Sequence, residues 1–195
     1  MNNQHTCAVV IVHGQSEYAF VQSIKSKLRL KIEIFARNKG KSSIQINKLP
    51  DVFQNNIFRS KSALLKEYET IQHRKRELLD FRIFTIMDVD DVENRDVRRN
   101  YIDGFISNIG DYQLKPYIMP IYFIENFEDA LRDINFPFVP KNNRDKSKYL
   151  KVFDPTIQQN ADADTTTELA QRFAKSKRTN VDMFLDYCLN HRTQF

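Results

Sequence analysis

The chain has 195 residues, 41% of them hydrophobic, with 15 Phe and 8 Tyr against only 4 Gly and 6 Pro. That composition excludes a disordered chain, a collagen-like chain and a turn-dense all-β architecture, and the length fits one domain with a sizeable core. The net charge of +5 is unevenly spread: residues 1–87 are basic, 88–139 acidic and 140–195 basic again, a pattern suited to a polyanionic partner and a bound cation together, or to a set of solvated helix faces. Cys7 and Cys188 lie far apart with no CxxC spacing, which suits free thiols in a reducing compartment. No run approaches the roughly 20 apolar residues of a membrane span, and the N-terminus lacks the charged segment of a secretory signal. A cytoplasmic protein without membrane contact is expected.

Residues 7–12, Cys-Ala-Val-Val-Ile-Val, form an unbroken apolar run, as in a parallel strand buried on both faces. It stops at His13-Gly14-Gln15-Ser16, where Gly14 permits a tight turn and Ser16 can cap a helix over 17–30. Residues 32–36 read as a short strand. A basic loop, Arg37 to Ser43, carries Arg37, Lys39 and Lys41. A helical region broken near Pro50 follows, and the apolar spacing over 61–79 predicts a long amphipathic helix bearing Arg74, Lys75 and Arg76. Residues 81–87 read as a second buried strand running into Asp88-Val89-Asp90-Asp91. A helix over 93–108, a strand over 117–124 and a helix from Asn126 come next. The polar stretch 141–151 reads as an exposed loop, and 165–175 and 180–190 as two helices. This alternation predicts an α/β fold with a mostly parallel sheet flanked by helices and extra C-terminal helices. Residues 1–140 would form the core, including a helical insertion over 43–79, and 141–195 an extension packed on it.

Ligands of open parallel sheets bind outside the carboxyl ends of the strands. Three ends are rich in chemistry: His13 to Glu17, Asp88 to Asp91, and Glu125 to Asp129. Alternation along extended chain points Asp88 and Asp90 to one side, and two carboxylates sharing a site call for a hard divalent cation such as Mg²⁺. Solvated or helix-capping acids at a strand end are the plain alternative. Asp88-Val89-Asp90-Asp91-Val92 also fits the DxDx[TV] pattern of haloacid dehalogenases, but that motif normally ends the first strand of its domain. There is no glycine-rich nucleotide loop, no HExxH and no zinc spacing. Ser16 lacks a nucleophile-elbow context.

The opening Val12-His13-Gly14-Gln15-Ser16-Glu17, with a later apolar strand ending in Asp88-Val89-Asp90, resembles the Toprim domain of topoisomerases, primases and the nuclease parts of OLD-type and RloB-like proteins. Asn126-Phe127-Glu128 is similar to a downstream segment of the RloB-like group. The resemblance covers about residues 7–135. It implies a Toprim-like sheet and a Mg²⁺- or Mn²⁺-dependent nuclease of DNA or RNA in a bacterial or phage defence system. Asp88, Asp90 and Glu17 would be metal ligands, with Asp91 and Glu128 as further acidic candidates. The phosphate-binding set would be Arg37, Lys39, Lys41, Arg74, Lys75 and Arg76. His13 stands where the family has its first glutamate. Either it transfers protons, or Mn²⁺ replaces Mg²⁺, or catalysis is lost and the chain is an interaction module that binds a partner protein.

Overall fold

The structure, a computed structural model, describes residues 5–75, 77–137 and 163–192. Four parallel strands form the main sheet: β1 (Ala8–Val12), β2 (Ile32–Phe35), β5 (Arg82–Asp88) and β6 (Ile118–Phe123), in the order β2-β1-β5-β6. Two short strands, β3 (His73–Arg74) and β4 (Glu77–Leu78), pair separately as an antiparallel hairpin. The protein is thus an α/β fold with helices on both faces of a parallel sheet. No helix among the described residues is long and apolar enough to cross a membrane.

Strand parity divides the core. Val10, Val12, Phe84, Ile86, Ile121 and Phe123 face one layer, whereas Val9, Ile11, Ile83 and Met87 face the other, the period-two alternation of extended chain. The first layer holds α1 (Gln15–Lys27), α5 (Phe127–Asp133), α6 (Ala163–Phe173) and α7 (Val181–Asn190). Phe20, Phe127, Phe173 and Phe184 are buried there. The second layer holds α2 (Leu49–Phe53), α3 (Lys61–Glu67) and α4 (Arg95–Ile102). Asp88 has the parity of Phe84 and Ile86, so its carboxylate opens toward α1 and α5.

The C-terminal helices belong to the same hydrophobic core as α1 and the sheet. They also finish the sheet. Tyr122 N–H donates to Asn180 Oδ1 at 2.9 Å, and Asn180 Nδ2 donates to Pro120 O at 3.1 Å. A side-chain amide here takes the place of a neighbouring strand's peptide, satisfying polar groups on the outer edge of β6. Buried Tyr101 ties β5 to α4: its hydroxyl donates to Thr85 O at 2.7 Å and lies 2.8 Å from Thr85 Oγ1.

Three expected helices are corrected. The long helix over 61–79 is α3 followed by a turn, closed by Ile71 N–H donating to Tyr68 O at 3.0 Å, and the hairpin: Thr70 O accepts from Thr6 N–H at 3.1 Å and Ile71 is buried. Pairing with the N-terminal segment overrides the helical periodicity, so the expected helical insertion over 43–79 includes two strands. Pro50 lies in the first turn of α2, where its missing N–H costs nothing, and does not break a helix. The helix expected over 93–108 ends at Ile102. Gly104, at φ 89°, turns the chain so that Phe105 N–H reaches Asn100 O at 2.7 Å, a glycine stop. The loop expected at 141–151 lies outside the described residues.

Gly40 is the tightest backbone contact near the carboxyl end of β1. Its φ is +83°, and a Cβ there would lie 2.6 Å from Gly14 O and 2.8 Å from Gln15 Cα. Gly40→Ala therefore meets both a left-handed backbone and a backbone clash. It is expected to destabilise the protein by about 2 kcal/mol or more, measured by urea unfolding. A loss under about 0.5 kcal/mol would mean the two turns do not touch as described.

Candidate functional site

The parallel strands present their carboxyl ends to one rim, and a cleft of about 200 Å³ opens there, lined by His13, Gly14, Gln15, Ser16, Glu17, Asp88 and Glu128. Three elements supply it: the β1–α1 turn, the end of β5 and the first turn of α5. Gly14 caps helix α1, and its extended backbone leaves its N–H free to donate to Glu17 Oε2 at 2.8 Å. Glu17 is thereby turned back toward the turn and is only 2% exposed. Asn126 caps α5 by accepting from Asp129 N–H at 3.0 Å, which places Phe127 in the core and Glu128 at the cleft. Ser16, expected to cap α1, lies inside the helix and donates its hydroxyl to Glu128 Oε1 at 2.9 Å.

His13 is held from both sides. Nδ1 lies 3.0 Å from Ile44 O and Nε2 lies 3.3 Å from Asp91 Oδ2. Both neighbours are hydrogen-bond acceptors, so either ring nitrogen has an acceptor to meet when it bears hydrogen.

Asp88 is the exceptional group. It is 9% exposed, and its buried Oδ1 has no hydrogen-bond partner. Burial, then the nearby charges of Glu17, Asp90, Glu128 and Asp91, hold its carboxyl well above the usual range. Burial also raises Glu17, an effect partly offset by His13 and by the Gly14 N–H. Asp90 is raised by its partial burial and by Asp91.

Of the residues singled out in the sequence, His13, Glu17, Asp88 and Glu128 share the cleft. The strand ends at Asp88, so the alternation that would pair it with Asp90 stops there: Asp90 is exposed in the following turn. Asp91 reaches His13 instead. Arg37, Lys39 and Lys41 are exposed on the turn after β2, which Gly40 presses against Gly14 beside the cleft. Arg74 and Lys75 are exposed on the β3–β4 hairpin, which leads into the amino end of β5. The seven residues of β5 separate them from the cleft by about 20 Å. Arg76 lies outside the described residues. Sequence reasoning missed the Ser16–Glu128 bond and the Gly14–Gly40 contact. The scarcity of glycine was the one available signal for the second.

Carboxylate oxygens, one of them buried and unpartnered, are the kind of donor that a hard divalent cation takes. Among the described residues no three His, Cys, Asp or Glu side chains converge on one point as ligands.

Because the folded-state pKa of Asp88 is raised, the protein holds a proton there that the unfolded chain has released. Stability from this group is full below the unfolded pKa and falls as pH rises through the folded one. In metal-free buffer containing EDTA, Asp88→Asn is expected to raise Tm by roughly 3–8 °C at pH 8, and by less at pH 4, since it removes an unpaired buried charge. A Tm equal to or below wild type at pH 8 would show that the carboxylate is satisfied.

No family model matches the chain, and no curated protein or solved structure matches it either; its chemistry is read from this cleft.

Proposed function

We propose that the chain is a divalent-metal-dependent nuclease of the Toprim type, hydrolysing phosphodiesters of DNA or RNA. One observation carries the reading: the unpartnered, buried Oδ1 of Asp88 in a cleft shared with Glu17, Glu128 and His13. Buried like charges persist where a ligand relieves them. The position supports it as well, since the cleft lies at the carboxyl ends of parallel strands.

Mg²⁺ or Mn²⁺ bound there would supply Lewis acidity and offset charge on the scissile phosphate. The chain's own residues supply the remainder. Asp88 offers its unpartnered Oδ1, giving up its proton as a cation binds, and Glu17 braces the β1–α1 turn through the Gly14 N–H. Arg37, Lys39 and Lys41 bind flanking phosphates without reading sequence. His13, held with Nε2 3.3 Å from Asp91 Oδ2, would serve as the proton donor to the leaving oxygen. Glutamate at that position would offer an acceptor; histidine offers a donor.

Purified protein is expected to cut DNA or RNA with Mg²⁺ or Mn²⁺, and Asp88→Asn to reduce cutting to background while remaining folded. Replacing Arg37, Lys39 and Lys41 together by Ala should weaken substrate binding and lower the slope of log K against log salt by about 2–3. Replacing Arg74 and Lys75 should leave cutting unchanged. If neither metal supports cutting of single- or double-stranded DNA or RNA, the nuclease reading falls and a non-catalytic module that binds a partner protein takes its place.

A further inference from the structure

The acidic groups around the cleft are not equally available. Glu17, only 2% exposed, accepts at Oε2 from the Gly14 N–H at 2.8 Å and is the most deeply buried of the acids lining the cleft. Asp91 faces His13 at 3.3 Å. Asp90 is exposed in the turn beyond β5 and does not line the cleft. Two carboxylates remain, each 9% exposed and each in the lining: Asp88, with Oδ1 unpartnered, and Glu128, with Oε1 fixed by Ser16 Oγ at 2.9 Å.

We infer that the cation is held by Asp88 and Glu128, with Ser16 as a positioning residue, and not by the Asp88–Asp90 pair that the DxD motif implies. The inference rests on the metal-dependent reading of the cleft and names its ligands. Two carboxylates suffice for Mg²⁺, which keeps several waters and takes its other oxygens from substrate phosphates. Ser16 donates to one oxygen of Glu128 and so fixes the carboxylate plane while leaving Oε2 to bind, the supporting bond that carboxylate ligands commonly carry. The two ligands come from β5 and α5, and the positioning hydroxyl from α1. A bound cation therefore ties together three elements that the hydrophobic core joins only deeper in the molecule.

The test titrates MnCl₂ into the full chain without nucleic acid and reads free Mn²⁺ by electron paramagnetic resonance. Circular dichroism confirms that each variant is folded. Asp88→Asn and Glu128→Gln are expected to weaken Mn²⁺ binding by about tenfold or more, and Ser16→Ala by about tenfold. Asp90→Asn should change it by less than about twofold. Glu128→Gln keeps an acceptor for Ser16, so its loss of affinity reports the charge and not a collapse of the turn. Loss of binding in Asp90→Asn with retention in Glu128→Gln would overturn the assignment, as would absence of saturable binding to folded wild type. The nuclease reading fails separately. Mn²⁺ bound through Asp88 and Glu128 with no phosphodiester cut leaves the ligands standing and removes the nuclease. Cutting that needs Asp90 and tolerates Glu128→Gln does the reverse.

Discussion

The site depends on the burial of one carboxylate. Asp88 ends a strand whose preceding six residues are half-buried or buried, and its parity turns it into the layer where α1 and α5 have already brought Glu17 and Glu128. An unpaired oxygen in that setting opposes folding, because desolvation and like charge act in the same direction. The hydrophobic core compensates. Val12 and Ile86 below the cleft are fully buried, as are Phe123 and Phe127 beside it. A strongly packed sheet can carry a strained electrostatic site at its rim, and the site exists where packing ends.

The two ends of the sheet are specialised differently. At the carboxyl end, the polar groups face a cavity and compete for protons or a cation. At the amino end they close on one another. Thr6 and Thr70 share a hydroxyl contact of 2.8 Å, Tyr187 donates to Cys7 O at 2.7 Å, and His191 Nε2 lies 2.8 Å from Asp80 Oδ1. These contacts join the N-terminal segment, the β3–β4 region and the last helix. The basic hairpin belongs to this structural end, which separates Arg74 and Lys75 from Arg37, Lys39 and Lys41 although both groups look alike as charge runs.

What the sequence made legible was periodic and local. Apolar runs marked β1 and β5, because strands buried on both faces are mostly apolar, and the one buried polar side chain inside β5, Thr85, is satisfied by Tyr101. The helix after Asn126 was legible from its cap, and the parallel α/β order from the alternation of elements. The failures were tertiary. Over 61–79 the apolar spacing of Leu64, Leu65, Tyr68 and Ile71 is helical, yet Thr70 bonds the N-terminal segment and Ile71 closes a turn on Tyr68. At the site, motif order drew attention to His13, Glu17 and Asp88, but it could not separate Asp90 from Glu128. That choice depends on where β5 stops and how α5 is capped, and both are set by contacts distant in sequence. Ser16 was misread for a related reason: a serine before a helix is usually a cap, and here Gly14 already occupies that position.

The amide of Asn180 has a consequence for assembly. By filling the hydrogen-bonding positions along β6, together with Ile124 N–H donating to Arg178 O at 2.8 Å, it occupies the border on which a second polypeptide would add a strand. An incoming chain would have to pull out the amide and loosen the start of the last helix, whose Val181, Phe184 and Leu185 are fully buried. Lateral polymerisation through that border is thereby opposed by the protein's own interior, and Pro120 on β6 adds a position with no N–H to offer an incoming strand.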